Sequence, residues 1–347
     1  MKTKVFLFGI IDQSNAQDIN CRSLFNHLSK RDFDVYSLVS KNSNQRNNKN
    51  LFKCFYPYRI SMILGLIWGV LKCDVIYYPR LELITLVHIL CFLFKKKKFR
   101  TIEVVIDSDI EKRLSRAQFS KYIRNLKSES NLFSITKHMA NVNMENYSVD
   151  SRNEILYLGV ENTEVTKNCK KIDKDKTNVL LVGHDLVRKG IFDILTLAKM
   201  FDNVQFLVVG SGNGRIDIQE KINELDLRNV NYLGALSNNE VNILFSKVDL
   251  NILPSRSEGF PKSILEAATY GVPTMTYSDY GAEEWITSNR NGFVVETVDD
   301  MAKIIRLITT REIVLDAMYE DTRNLALEFD WKIRVNTWEN VIKNLKK

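Results

Sequence analysis

No two of the five cysteines form a C-x-x-C pair: Cys21, Cys54, Cys73, Cys91 and Cys169 lie scattered along the chain. The pattern argues against a zinc site and a disulfide framework and fits a reducing cytosol. Long apolar runs are also missing. The two longest, 60–71 and 83–94, reach twelve residues each, whereas a membrane-spanning helix needs about 20. The start, MKTKVFLFGIIDQS, has two lysines and a short apolar run. It lacks a long hydrophobic region and a small-residue cleavage site, so it reads as a buried strand rather than a signal peptide. No solenoid period occurs. No aromatic and basic motif of the known nucleic-acid modules occurs either, so no nucleic-acid partner is expected.

A chain of 347 residues implies two domains, at roughly 100–200 residues each. The net charge of +7 is unevenly placed. Residues 1–170 carry 27 Lys and Arg against 16 Asp and Glu, leaving +11; the remainder carries 22 against 26, leaving −4. A basic half of this kind is either a solvated face or one drawn to an anionic surface, such as a membrane leaflet or a lipid diphosphate.

Short apolar runs alternate with segments of helical length. In the second half the runs are 178–183, 204–210, 230–234, 249–254 and 273–278, with helices expected over 191–201, 216–226, 239–246 and 261–270. Buried strands spaced by helices imply an α/β chain with doubly wound parallel sheets. The first half repeats the pattern less clearly at 4–9, 34–39, 74–78, 100–105, 132–136 and 155–158. The polar stretch 163–177 reads as a linker. Residues 331–345 have near-helical apolar spacing. The expected domains are 1–162, with 330–347 as a closing helix packed back on it, and 178–329. In open α/β sheets, ligands sit beyond the carboxyl ends of strands.

The stretch LPSRSEGFPKSILEAATYGVP, 253–273, follows one such strand. Pro261 suits a first helical position, Gly259 permits close backbone approach, and helix-start amides can receive a phosphate. Glu258 precedes the helix and Glu266 lies within it, so two carboxylates can each accept hydroxyls of one ligand. Alone, this stretch reads better as a helix with an acidic start. In VGHDLVRKGIFDIL, 182–195, Lys189 stands just before Gly190 at a helix start, which suits a diphosphate, though on these residues alone Arg188 and Lys189 read better as an exposed basic turn. VVGSGNGR, 208–215, supplies a strand followed by glycines, by itself a weak phosphate signal.

These segments together resemble the family-4 retaining glycosyltransferases, which have the GT-B fold: two Rossmann-like domains facing a central cleft. The family's Glu-x7-Glu setting is matched by Pro254, Ser255, Glu258, Gly259, Phe260, Leu265, Glu266, Ala267, Gly271 and Pro273. The resemblance implies that Glu258 contacts the transferred sugar and Glu266 the ribose hydroxyls, with the backbone at Gly259, Phe260 and Pro261 along the donor. It implies a diphosphate clamp after Gly183, with Lys189 in its usual place. His184 stands where an Arg is usual, and Arg188 is the nearby substitute. Gly210 and Gly212 would lie beside the donor, and Gly234 and Ala235 against the base. Glu284 matches a further motif, 279–296, in which Tyr280 replaces a Gly.

Over the first 160 residues the resemblance is weak. A Gly-Gly loop after the first strand is missing, and Glu103 falls where a His is usual. Asp107, Ser108 and Asp109 form a D-x-D, a metal signal in a different transferase fold whose layout this chain lacks. Run 83–94, followed by Lys95, Lys96, Lys97 and Lys98, is either an interfacial helix or a buried one with exposed lysines; burial of most of it is expected. The resulting expectation is a cytoplasmic, peripheral glycosyltransferase with no cofactor and no metal. It would use a nucleoside diphosphate sugar and a glycan or lipid-diphosphate acceptor, with an anionic membrane surface as a further partner. The rival is a non-catalytic nucleotide-sugar-binding or scaffold protein on the same fold.

Overall fold

The structure, a computed structural model, describes residues 2–13, 15–44, 48–80, 83–103, 115–162, 172, 175–214 and 216–347. The chain divides into two compact units: Met1–Gly159 together with Trp331–Lys347, and Val160–Asp330.

The first unit holds β1 (Thr3–Ile10), β2 (Phe33–Val39), β3 (Leu51–Lys53), β4 (Val75–Tyr77), β5 (Lys97–Ile102) and β6 (Leu132–Ser134), in the sheet order 3-2-1-4-5-6. The second holds β7 (Thr177–Asp185), β8 (Val204–Ser211), β9 (Val230–Gly234), β10 (Leu250–Leu253), β11 (Thr274–Tyr277) and β12 (Gly292–Val295), in the order 12-11-10-7-8-9. Every pairing between these strands is parallel. Parallel neighbours need crossovers, and crossover helices cover both faces of a sheet. That is why Val5, Phe6, Leu7 and Phe8 run consecutively through β1 without polar alternation, all fully buried.

Several expectations shift. Stretch 155–158 joins no sheet: it is an extended segment whose Leu156 N–H donates to the Ser134 carbonyl at 2.9 Å. Its apolar residues Leu156 and Leu158 are buried, so the composition reported burial rather than a ladder. Strand β5 begins at Lys97, earlier than the lysine run suggests, and residues 104 and 105 lie outside the described residues. Lys98 is not an exposed lysine. Its ammonium lies 2.9 Å from the Glu129 carboxylate, which also pairs with His88 at 2.8 Å. Burial alone would push the Glu129 carboxyl up; hydrogen bonds from Tyr78 and Lys98 hold it below the usual glutamate range. Thr177, expected in the linker, opens β7, while 163–171, 173 and 174 lie outside the described residues, as do Asp107, Ser108 and Asp109.

Helix Trp331–Lys346 belongs to the first unit. Trp331 and Trp338 are buried, and the Trp338 ring meets Tyr77 edge-on at 5.5 Å. Its indole N–H donates to the Tyr157 carbonyl at 3.0 Å. Among the described residues no helix is long and apolar enough to cross a membrane. Helix Ile84–Leu93 is only half covered. Ile84, Val87, Leu90 and Cys91 are buried, but Phe92 is 84% exposed and Leu93 64%. The expected burial of most of that run is therefore corrected: the unit covers only one stripe of a helix that is apolar on nearly every side.

Candidate functional site

In the second unit the chain runs from β7 to β8 on one side and reaches β10 on the other, so β7 and β10 flank the point where strand order reverses. Crevices outside the carboxyl ends of strands at such a point are the ligand sites of open α/β sheets. The loops after β7 and β10 carry Lys189 and Glu258, and their side chains meet. The Lys189 ammonium donates to Glu258 Oε1 at 2.7 Å. Arg188 donates to the Ser257 carbonyl at 2.7 Å and stands 3.5 Å from Glu258 Oε1. Glu258 is 6% exposed and Lys189 12%, while Arg188 is 38% exposed. A buried carboxylate between two cations is satisfied; losing either cation leaves it costly.

Two glycines make this approach possible. Gly190 has φ +84°, and a Cβ there would lie 2.0 Å from the Pro254 carbonyl oxygen. A Cβ at Gly183 would lie 2.4 Å from Lys189 Cγ, so the missing side chain is what lets the lysine stem cross the end of β7. Ser255, fully buried, donates to the carbonyls of Arg188 at 3.3 Å and Ser257 at 3.2 Å, tying the two loops together.

The other expected residues lie around this pair. Pro261 sits one place before helix Lys262–Ala268 with ψ 85°, as its N-cap rather than its first helical residue. Phe260 packs edge-on against Trp285 at 5.6 Å. Glu266 lies on the helix; burial pushes its carboxyl up, while the charges of Lys262 and Lys189 pull it back in part. Gly210, at the end of β8, would place a Cβ 1.7 Å from the Gly183 carbonyl oxygen, and Gly212 would place one 2.3 Å from that of Ile216. Gly234 takes φ +67° with open space where a Cβ would go, and Ala235 is exposed. The His184 carbonyl accepts from Ser211 at 2.9 Å, but its imidazole is exposed and joins no described hydrogen bond with Lys189 or Glu258.

Sequence reasoning missed two features. Tyr280, noted only as a replaced Gly, is buried and shares a hydrogen bond with the Thr276 hydroxyl. Burial and then the Glu258 charge push its phenol up, so it stays neutral beneath the carboxylate. In the first unit, the reversal lies between β1 and β4. There a buried ion pair joins Arg80 to Asp18, and Asp18 Oδ1 also accepts from the Ile10 N–H at 2.7 Å. Glu103 accepts from Tyr77 at 3.1 Å and from Asn20 at 3.2 Å. An Asp three residues after Asn15, which caps helix Ala16–His27, was the available signal.

Residues 162–325 match the model of the glycosyl transferases group 1. That segment is similar to the group 1 glycosyl transferases. Among curated relatives, N,N'-diacetylbacillosaminyl-diphospho-undecaprenol alpha-1,3-N-acetylgalactosaminyltransferase of Campylobacter jejuni is 27% identical over 233 residues, covering 65% of this chain and 59% of that protein. The chain spans about half the length of the curated relatives it matches, 44 to 59% for three of them. Among solved structures, sucrose-phosphate synthase from Thermosynechococcus elongatus superposes with TM-score 0.75 at 13% identity, over 99% of each chain. The HepE protein of Anabaena in complex with UDP-glucose superposes with TM-score 0.74 at 14% identity, also over 99% of each. The fold is GT-B, an α/β architecture of two doubly wound parallel sheets.

Proposed function

We propose that the protein is a retaining family-4 glycosyltransferase acting in cell-surface polysaccharide assembly at the cytoplasmic side of the membrane. It moves a hexose-type sugar from a nucleoside diphosphate sugar to a glycan or lipid-diphosphate acceptor. The observation that carries this reading is the buried contact of Lys189 with Glu258 at 2.7 Å, at the strand reversal of the second sheet. The relative from Campylobacter jejuni, named for a diphospho-undecaprenol acceptor, and the HepE complex with UDP-glucose support the substrate classes.

The bond from the anomeric carbon to the diphosphate breaks as a bond to the acceptor oxygen forms on the same face. The acceptor proton passes to the departing phosphate oxygen. Negative charge grows on the diphosphate, and Lys189, Arg188 and the amides opening helix Ile191–Met200 offset it without a metal. Glu258 accepts hydroxyls of the sugar and Glu266 those of the ribose, while Gly259 and Phe260 offer amides along the donor. Gly210, Gly212, Gly234 and Ala235 present backbone to the nucleotide.

A panel of nucleotide sugars tests this by thermal shift and turnover. The correct donor at a hundred times its Kd stabilises the fold by about 2.7 kcal/mol, and NMR of the product shows the donor's anomeric configuration kept. Stabilisation without hydrolysis or transfer across several acceptors would instead establish the non-catalytic binder.

The raised Glu266 carboxyl makes donor affinity pH-dependent. As pH falls through its folded value, which lies above the usual glutamate range, the carboxylate gains a proton and loses acceptor capacity. Donor Kd therefore rises on acidification, starting at a higher pH than an ordinary glutamate would give. Glu266→Gln binds weakly and flattens this profile; an unchanged profile in that variant would remove Glu266 from the ribose.

A further inference from the structure

We propose that the ends of helices Tyr58–Lys72 and Ile84–Leu93 form a docking face for an anionic phospholipid leaflet. The inference rests on the first unit alone and does not depend on the transfer reading. Each helix leaves the carboxyl edge of the sheet and returns the chain to the amino edge, so the two C-termini arrive together. They pack on one shared core, to which the first contributes Leu66 and Val70 and the second Val87 and Leu90. The register of β4 with β5 sets Val75 opposite Lys97, and the Lys97 N–H donates to the Asp74 carbonyl at 3.2 Å. Lys72 and the lysines after the second helix therefore share one edge.

That edge carries apolar side chains that nothing in the unit covers among the described residues. Phe92 is 84% exposed, and Leu93, Leu71 and Ile89 are each at least half exposed. Large side chains at the tip of a helix normally turn inward or meet a partner. Beside them stand Lys72, Lys95, Lys96 and Lys97, all exposed except Lys96, which is half-buried. Neither 51–73 nor 83–102 contains an Asp or Glu. The adjacent Asp74 is already matched by Lys346 at 3.2 Å. An apolar tip ringed by unopposed lysines complements the acyl boundary and acidic headgroups of a leaflet. A second copy of the same surface would set lysine against lysine, which disfavours a dimer contact there.

Flotation of the full chain with vesicles tests the face. The wild type is expected to float with vesicles containing phosphatidylglycerol and to bind pure phosphatidylcholine at least tenfold more weakly. Each lysine near an anionic surface contributes about a fivefold gain, so K95Q/K96Q/K97Q should lose on the order of a hundredfold. F92S/L93S should lose about tenfold or more, because it removes the inserted apolar groups. Both variants alter side chains that are exposed or, at Lys96, half-buried, and should keep wild-type Tm and wild-type thermal shift with a nucleotide sugar. Equal binding to the two vesicle types, or undiminished flotation of either variant, overturns the proposal. So does a wild-type dimer in sedimentation that F92S/L93S converts to monomer, which would make this a contact between copies.

Discussion

Lys189→Ala and Glu258→Ala are each expected to lower kcat by about 10²–10³-fold, the loss seen when one preorganised charge partner is removed from a developing anion. The two side chains touch at 2.7 Å and work as a unit, so the double variant should lose little more than either single one. The causes differ. Without Lys189 the diphosphate loses its least exposed cation, and Glu258 keeps only the more distant Arg188 at 3.5 Å. A carboxylate left in that state repels the phosphate it should help deliver. Without Glu258 the cations remain, but the sugar loses its acceptor and Lys189 loses the partner that aims it. Donor Kd should therefore rise more in Lys189→Ala than in Glu258→Ala. Single-turnover rates with titrated donor separate the two; wild-type turnover in both would sink the assignment.

Gly190→Ala should be nearly as damaging from a single methyl group. The position has φ +84°, and the new Cβ would lie 2.0 Å from the Pro254 carbonyl oxygen. Left-handed backbone costs about 1–2 kcal/mol outside glycine, and the overlap adds about 1–3 kcal/mol. The sum predicts a fall in Tm of roughly 10 °C for a unit of this size. The overlap also drives the loop after β7 from the loop after β10, and a displacement of about 1 Å can cost about 10²-fold in rate. Gly234→Ala is the matched control. Gly234 has φ +67° but open space around the missing Cβ, so it should pay only the backbone strain. Equal Tm losses in the two variants would show that the approach of the loops is not what Gly190 secures.

The second unit was legible because its chemistry is local. A strand, a turn with Gly190 and a helix, then a strand, a turn with Gly259 and a helix, are each contiguous, so the family resemblance could attach to Lys189 and Glu258 before any fold existed. Their meeting was not legible. It depends on β10 lying beside β7 rather than beyond β9, and no period in the sequence reports strand order. The same limit hid the ion pair of Arg80 with Asp18, two residues 62 positions apart in sequence. Strand β3, with three residues, is too short to carry a pattern. Lys98 misled because a run of four lysines reads as solvent-facing, whereas strand geometry sends successive side chains to opposite faces. One of the four therefore turned inward to Glu129.

The first unit is interrupted: the chain leaves it at Gly159 and rejoins it at Trp331. During synthesis, Val160–Asp330 is complete while its predecessor still lacks the indoles of Trp331 and Trp338. Until that last helix has been made, Tyr77 and Phe99 lack the Trp338 ring that packs on them. Domains commonly fold in the order they emerge; here the unit that begins first is the one whose residues are completed last. Quality control would read a lesion in helix Trp331–Lys346 as a defect of the amino-terminal half.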